Sequence, residues 1–143
     1  MSDEIKHECG VTLLRLRQGL GYYERQYGSA YYGFEKLALL MEKQHNRGQD
    51  GAGIGCVGLQ VEPGHPFYQV EKSCGELPLA EVLNRIGDLI AAAGGAGVLP
   101  VASPAPGASA GLSAGRSLTR PFCGEVYLGH VRYGTYGNRS LTA

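Results

Sequence analysis

The sequence predicts an α+β domain built from two amphipathic helices and several segments of strand character. The chain has 143 residues, which is enough to bury a core and is a typical length for one domain. Apolar residues recur at helical spacing over residues 31–46 and 79–90. Residues 125–133 instead alternate between two sets of side chains, as strands do. No internal repeat is visible.

The first predicted strand comes directly after Cys9. Residues 11–16 read VTLLRL and predict a mostly buried strand. Residues 21–33 then hold five of the nine tyrosines, with glycines at both ends and in the middle. Because aromatic side chains at this density usually pack, we expect an ordered connection with some helix.

The central part of the chain predicts a helix, two strands and a second helix. The first helix covers 31–46, and Gly48 is placed to end it. Residues 52–59 are small and apolar, which suits a buried strand, and residues 67–71 predict its partner after a Pro-Gly turn. The second helix presents its apolar face over 79–90.

Residues 91–117 have a different composition from the rest of the chain. Ala, Gly, Ser and Pro supply 22 of these 27 residues, and Arg116 is the only charge. Such a run buries too little apolar surface to offset its chain entropy. It is therefore predicted to be a flexible insertion.

The strand at 125–133 carries a charge near its end. Alternation divides its side chains between two faces. One face holds Val126, Leu128, His130 and Arg132, and the other holds Tyr127, Val131 and Tyr133. His130 is interpreted as a structural strand residue. Arg132 needs an anionic partner, because a buried unpaired charge is costly.

Composition argues against several classes of protein. Thirteen basic and thirteen acidic side chains cancel, so no net field favours nucleic acid or an anionic membrane. No stretch reaches the roughly 20 apolar residues of a membrane span, and the first residues lack the features of a secretory signal. We therefore expect a cytoplasmic protein. Its cysteines are expected to be thiols rather than a disulfide framework: Cys9, Cys56, Cys74 and Cys123.

Two binding motifs are rejected from the sequence. The glycines of residues 53–58 match GxGxxG, but a dinucleotide site needs them between a strand and a helix, and here they lie within a strand. The cysteines and histidines contain no closely spaced pair of the kind that structural zinc uses. No metal site is predicted.

Cys9 is the candidate nucleophile. It follows a short charged leader, residues 1–8, and removal of that leader would make Cys9 the amino terminus. A free α-amine has a pKa of roughly 7.7–8.0 and can serve as the base for its own residue's thiol. Gly10 would allow a substrate to approach the backbone beside the thiol. The alternative is an ordinary buried thiol, because cysteine is often a core residue.

Three stretches together resemble the class II glutamine amidotransferases, which are N-terminal nucleophile hydrolases. They are CGV at 9–11, QHNRGQDGAGI at 44–54 and GHVRYGTYG at 129–137. Within the class, they are most similar to the N-terminal glutaminase domain of amidophosphoribosyltransferases. The resemblance implies an αββα sandwich, incomplete at its C-terminal end, over residues 9–143. It also implies that residues 1–8 are a propeptide.

The resemblance also implies the residues that act on glutamine. Cys9 would attack the side-chain amide and release ammonia, and water would then hydrolyse the thioester. Arg132 would hold the α-carboxylate of glutamine in a bidentate pair. Thr135 would help to grip the same substrate, Gly48 would offer its backbone, and Arg47 would organise the pocket. For Arg47 the alternative is a cation at a helix C-terminus, favoured by the macrodipole.

The complete enzyme that the resemblance implies is longer than this sequence. It would use the ammonia in the first committed step of purine synthesis, binding phosphoribosyl pyrophosphate in a C-terminal domain that is missing here. Mg²⁺, an iron–sulfur cluster in some members and homo-oligomerisation belong to that complete enzyme, and no cofactor is expected in this chain. The family's oxyanion Asn-Gly pair and substrate-binding aspartate would lie beyond Ala143, so we expect this chain alone to be inactive.

The sequence also departs from the family pattern. Asn46 is an extra residue compared with the commoner QHRGQ form, and Tyr136 differs from what several relatives place after the threonine. Two alternatives to the amidophosphoribosyltransferase interpretation remain open at this point. One is the glutaminase portion of another class II amidotransferase. The other is a truncated, non-catalytic fragment in which Cys9 is a core thiol.

Overall fold

The computed structural model describes residues 8–94 and 120–134, which form an antiparallel sheet with helices on one face. The strands lie in the order β1-β4-β2-β3, so the last strand in the described sequence is inserted between the first two. This architecture confirms the α+β prediction. The elements are β1 (Gly10–Arg15), α1 (Leu20–Tyr27), α2 (Tyr32–Gln44), a 3₁₀ turn (His45–Arg47), β2 (Gly51–Val57), β3 (Tyr68–Ser73), α3 (Pro78–Ala92) and β4 (Val126–Arg132).

The register of β4 determines which residues meet in the sheet. Val131 pairs with Gly10 of β1 on one side and with Ala52 of β2 on the other, both antiparallel. Because strand side chains alternate between faces, this register places the buried Tyr127 and Val131 on the face that the helices cover. The prediction that Val126, Leu128, His130 and Arg132 share the opposite face is confirmed.

Two helices cover the inner face of the sheet. Helix α2 packs on β1 and β4, and α3 packs on β2 and β3. The apolar stripe that predicted α2 is buried in the core. Most of the stripe of α3 is buried as well, but Leu89, which was expected on its inner face, is 42% exposed. Gly129 allows α2 to lie close to β4, because a Cβ at this position would come 2.5 Å from the sulfur of Met41. The fully buried core side chains include Phe34, Leu37, Met41, Ile54, Val82, Ile86, Ile90 and Tyr127.

The outer face of the sheet is exposed and partly apolar. Val11 and Leu13 of β1 are 63% and 69% exposed, and Leu128 of β4 is 49% exposed. The prediction that residues 11–16 form a mostly buried strand is therefore wrong for this face. The described helices cover only one side of the sheet, so every second side chain of β1 points away from the core.

One expected helix is confirmed, and one segment boundary differs from the sequence prediction. The tyrosine-rich connection contains α1, which confirms the expected helix, and Gly28 ends it in the left-handed conformation (φ 77°). The insertion predicted at 91–117 begins too early, because α3 continues through Ala92. Alanine is a strong helix former, so the start of the run extends the helix. The rest of that predicted insertion, from residue 95, lies outside the described residues, as do residues 1–7 of the predicted leader. Of the helices in the described ranges, none is long and apolar enough to cross a membrane.

Candidate active site

Cys9 lies at the edge of the sheet beside the C-terminal end of β4. It precedes Gly10, whose partner is Val131, so this register brings Cys9 next to the following residues of β4. The backbone N–H of Tyr133 donates to Cys9 Sγ at 3.4 Å, and the carbonyl oxygen of Tyr133 lies 3.9 Å from the sulfur. Cys9 is exposed, which excludes the alternative that it is a core thiol.

Arg132 is the last residue of β4 and lies on the outer face of the sheet. It pairs with Gly51, the first residue of β2, and it is half-buried. The pairing of β4 with β1 places Arg132 on the strand next to Cys9. A guanidinium at the end of a strand, near an exposed thiol, is suited to bind a carboxylate through two parallel hydrogen bonds. His130, two residues earlier on the same face, is exposed rather than part of the core.

Gly48 packs directly against the backbone of Arg132. A Cβ on Gly48 would lie 2.5 Å from the carbonyl carbon of Arg132 and 2.7 Å from its nitrogen and oxygen. Gly48 has an extended conformation (φ −159°), so glycine is required here by space and not by backbone geometry. The turn that contains Gly48 therefore lies against the end of β4, next to Arg132. Arg47 is exposed at the end of the 3₁₀ turn, a position that also fits its macrodipole alternative.

Asp50 connects this turn to the end of β4. Its backbone N–H donates to the carbonyl oxygen of Arg132 at 3.0 Å, and its Oδ2 accepts from the backbone N–H of Gly134 at 2.8 Å. These two bonds bracket Tyr133, whose own N–H points at Cys9 Sγ. Asp50 therefore positions the backbone that contacts the thiol. Asp50 belongs to the second family-like stretch, but the sequence indicates no role for it, because only the long-range register reveals its partners.

Replacing Asp50 with alanine should slow the reaction of Cys9 with a thiol-reactive glutamine analogue about tenfold, because small displacements of a reacting group are costly. Asp50→Asn keeps an acceptor oxygen for the N–H of Gly134, so it should slow the labelling of Cys9 less than Asp50→Ala does. Asp88→Ala, which removes an exposed carboxylate from α3, is the control. The second-order labelling rate and the melting temperature should be measured for each variant. An Asp50→Ala protein that labels at the wild-type rate would refute the positioning role.

Gln44 contributes to the site in a way that the sequence did not reveal. A Cβ on Gly10 would come 2.6 Å from Gln44 Oε1 and 2.8 Å from a methyl group of Val131. The space on the inner side of Gly10 is therefore filled by protein. Glycine at position 10 is required by this close packing of α2 on β1, whereas the sequence had suggested substrate approach.

Two other thiols lie in the core and differ from Cys9 in their chemistry. Burial raises the pKa of the Cys56 thiol to about 12 and the pKa of the Cys123 thiol to about 11. The neighbouring Tyr127 is also buried: its hydroxyl donates to the carbonyl oxygen of Phe122 at 3.1 Å and accepts from the N–H of Gly124 at 3.2 Å. Cys56 and Cys123 therefore stay protonated near neutral pH and are poor nucleophiles.

The remaining candidate residues and motifs have different outcomes. Thr135 lies outside the described residues. The glycines of the GxGxxG match lie in and just after β2, which confirms that they do not connect a strand to a helix. Within residues 8–94 and 120–134, no three His, Cys, Asp or Glu side chains converge on a point that could hold a metal ion.

The described site thus combines an exposed thiol, a guanidinium on the adjacent strand and a tight turn held by Asp50. An arrangement of this kind can attack an electrophilic carbon while it holds an anionic group of the same molecule. No family model, curated protein or solved structure matches the chain.

Proposed function

We propose that this protein contains the nucleophile end of a glutaminase site, in which Cys9 attacks the side-chain amide of glutamine. One observation carries the proposal. The sheet register brings Cys9 to Tyr133, 124 residues later, and so unites the first and third of the stretches that resemble class II glutamine amidotransferases. Gly48 of the second stretch packs on the same strand end.

The chemistry assigns a separate task to each group. The thiol of Cys9 gives its proton to its own α-amine, and the sulfur bonds to the amide carbon of glutamine. The amine returns that proton to the departing nitrogen, which leaves as ammonia, and the glutamyl thioester remains. Water then cleaves the thioester and yields glutamate, so that glutamine and water become glutamate and ammonia. Arg132 holds the α-carboxylate throughout.

This mechanism requires cleavage of the bond between Glu8 and Cys9. Both residues are exposed, so the bond is accessible to a protease or to attack by the thiol itself. The intact mass of the protein isolated from its own cells should correspond to a species that begins at Cys9. A mass that retains residues 1–8 would mean that the amine is blocked.

The proposal extends to the fold. An αββα sandwich needs a second sheet on the outer face, and that face carries exposed Val11, Leu13 and Leu128 together with Val70 of β3, which is 48% exposed. In the sandwich, these side chains would pack against the second sheet. Ammonia would then pass to phosphoribosyl pyrophosphate, as in an amidophosphoribosyltransferase. Another acceptor would make this a different class II amidotransferase.

A diazoketone analogue of glutamine tests the proposal directly. It should label Cys9 and leave the buried Cys56 and Cys123 unmodified. Cys74, which is partly exposed, should react with iodoacetamide but not with the analogue, and this difference separates recognition of glutamine from general thiol reactivity. Peptide mapping by mass spectrometry identifies the labelled residue. Excess glutamine should protect Cys9 from the analogue. Equal labelling of Cys9 and Cys74, or labelling of Cys9 that glutamine does not reduce, would favour the non-catalytic alternative.

A further inference from the structure

A second concave surface lies at the other end of β1 from Cys9. It is an open groove of about 710 Å³, here called the tyrosine groove, formed where β1 meets α1 and the start of α2. The length of β1 separates it from Cys9 by roughly 20 Å. Its polar and aromatic lining consists mainly of Tyr22, Tyr23, Tyr27, Tyr32, Arg17 and Lys36, and Arg15 adds a further cation.

The tyrosine rings in the groove are packed on one another. The centroids of Tyr27 and Tyr32 are 4.3 Å apart with an angle of 25° between the rings, and those of Tyr23 and Tyr32 are 5.1 Å apart at 23°. Tyr22 meets Tyr23 edge to face. Stacking covers part of the faces of Tyr23, Tyr27 and Tyr32, so these three rings offer a ligand their edges and hydroxyl groups. The edge of an aromatic ring is its positive part, so this surface favours anions.

The charges of the groove have one sign. Among residues 8–94 and 120–134, its lining contains three cations and no acidic residue, and Lys36 Nζ lies 5.2 Å from the centre of the Tyr32 ring. Two nearby carboxylates have other partners. Glu24 lies 3.6 Å from a guanidinium nitrogen of Arg120, and Glu35 accepts from the hydroxyl of Ser29 at 2.6 Å. The groove is therefore locally positive although the chain as a whole has no net charge.

The core accounts for only part of helix α1, since Leu20 and Tyr23 pack against it. None of its eight residues is buried, and Tyr22 and Tyr27 remain 42% and 54% exposed. A short helix with large exposed rings and neighbouring arginines has the composition of a protein-recognition surface. Tyrosine and arginine are enriched among the residues that contribute most to binding energy at interfaces.

We propose that the tyrosine groove binds an extended acidic segment of a partner protein. Carboxylates of that segment would pair with Arg15, Arg17 and Lys36, and its backbone would lie along the ring edges and hydroxyl groups. Two other occupants fit less well. A small molecule would be largely enclosed by its pocket, whereas this groove is open, and single-stranded nucleic acid would need free ring faces for its bases. The proposal does not depend on the function of Cys9.

Selection of random peptides displayed on phage tests this proposal even though the partner is unidentified. The peptides recovered on the wild-type protein should be enriched in Asp and Glu relative to the unselected library. Their binding should weaken as salt is raised, because partly exposed charge pairs are screened. The chain lacks tryptophan, so the tyrosine fluorescence of the groove can report binding of a non-fluorescent peptide.

A matched pair of double variants locates the binding. Arg17→Glu combined with Lys36→Glu should weaken the selected peptides about tenfold or more. Lys43→Glu combined with Lys72→Glu makes the same change in net charge at exposed positions outside the groove lining and should weaken them much less. Melting temperatures confirm that both proteins fold. Recovery of no acidic peptides, equal binding by the two variants, or tighter binding of an oligothymidylate probe than of the peptides would overturn the proposal.

Discussion

Replacing Cys9 with alanine is expected to reduce glutamine hydrolysis by on the order of 10³-fold or more, because removal of the nucleophile leaves no route to the thioester. Cys9→Ser should be nearly as inactive, since a hydroxyl is a much weaker nucleophile than a thiol under the same base. Because Cys9 is exposed and contacts the backbone of Tyr133, the fold should be preserved. The release of ammonia from glutamine is the assay, and it is measured on the complete enzyme, processed to begin at Cys9, because this chain alone is expected to be inactive.

Cys74→Ala is the matched control for this experiment. It removes another partly accessible thiol at the end of β3 and should leave hydrolysis unchanged. Melting temperatures of both variants should stay close to that of the wild-type protein, because surface substitutions usually change stability by less than about 0.5 kcal/mol. Hydrolysis by Cys9→Ala at more than a tenth of the wild-type rate would remove Cys9 from the mechanism.

Replacing Gly48 with alanine is expected to damage both stability and the site. The new Cβ would overlap the backbone of Arg132, and neither backbone can move away cheaply because Arg132 lies in an interior strand of the sheet. Forcing extra volume into such a contact usually costs about 1–3 kcal/mol of unfolding free energy. The shift of Arg132 should also raise the KM for glutamine more than it lowers kcat, since its proposed task is to hold the α-carboxylate.

Gly55→Ala is the matched control, because it adds the same Cβ at a glycine where there is room for it. Gly55 lies in β2, and a Cβ there would meet its nearest neighbour, a methyl group of Val70, at an ordinary distance of 3.9 Å. This variant should therefore unfold at nearly the wild-type temperature, whereas Gly48→Ala should unfold several degrees lower. If the two variants unfold at the same temperature, the turn at Gly48 is not held against β4 as described.

Periodicity in the sequence was sufficient to predict the principal helices and to divide β4 between its two faces. The stripe of Phe34, Leu37 and Met41 has the spacing of one helix face, and all three side chains are buried as α2 packs on the sheet. The burial of β1 could not be predicted in the same way. Residues 11–16 are apolar on both sides, and only the placement of both main helices on one face leaves Val11 and Leu13 exposed.

The candidate site divides similarly between what is local and what is long-range. Local patterns single out Cys9 after a charged leader, Gly48 after a helix and Arg132 in an apolar strand. Their roles in a common site are implied only by the family resemblance. The role of Asp50 has no local signature, because it consists of one hydrogen bond from its backbone and one to its side chain, both with the backbone of residues more than eighty positions away. Gln44 was missed for the same reason, since its contact with Gly10 exists only when α2 lies across β1.

The sequence by itself therefore determined the types of the main elements and the chemical identity of the candidate groups. Those features depend on the spacing of side chains within a few helical turns or a few strand residues, and that spacing can be read directly from the sequence. The tertiary structure decided which of those groups meet. Insertion of β4 between β1 and β2 brings Arg132 and Tyr133 to Cys9, and the pairing of strands so distant in sequence depends on the whole sheet and not on any local pattern.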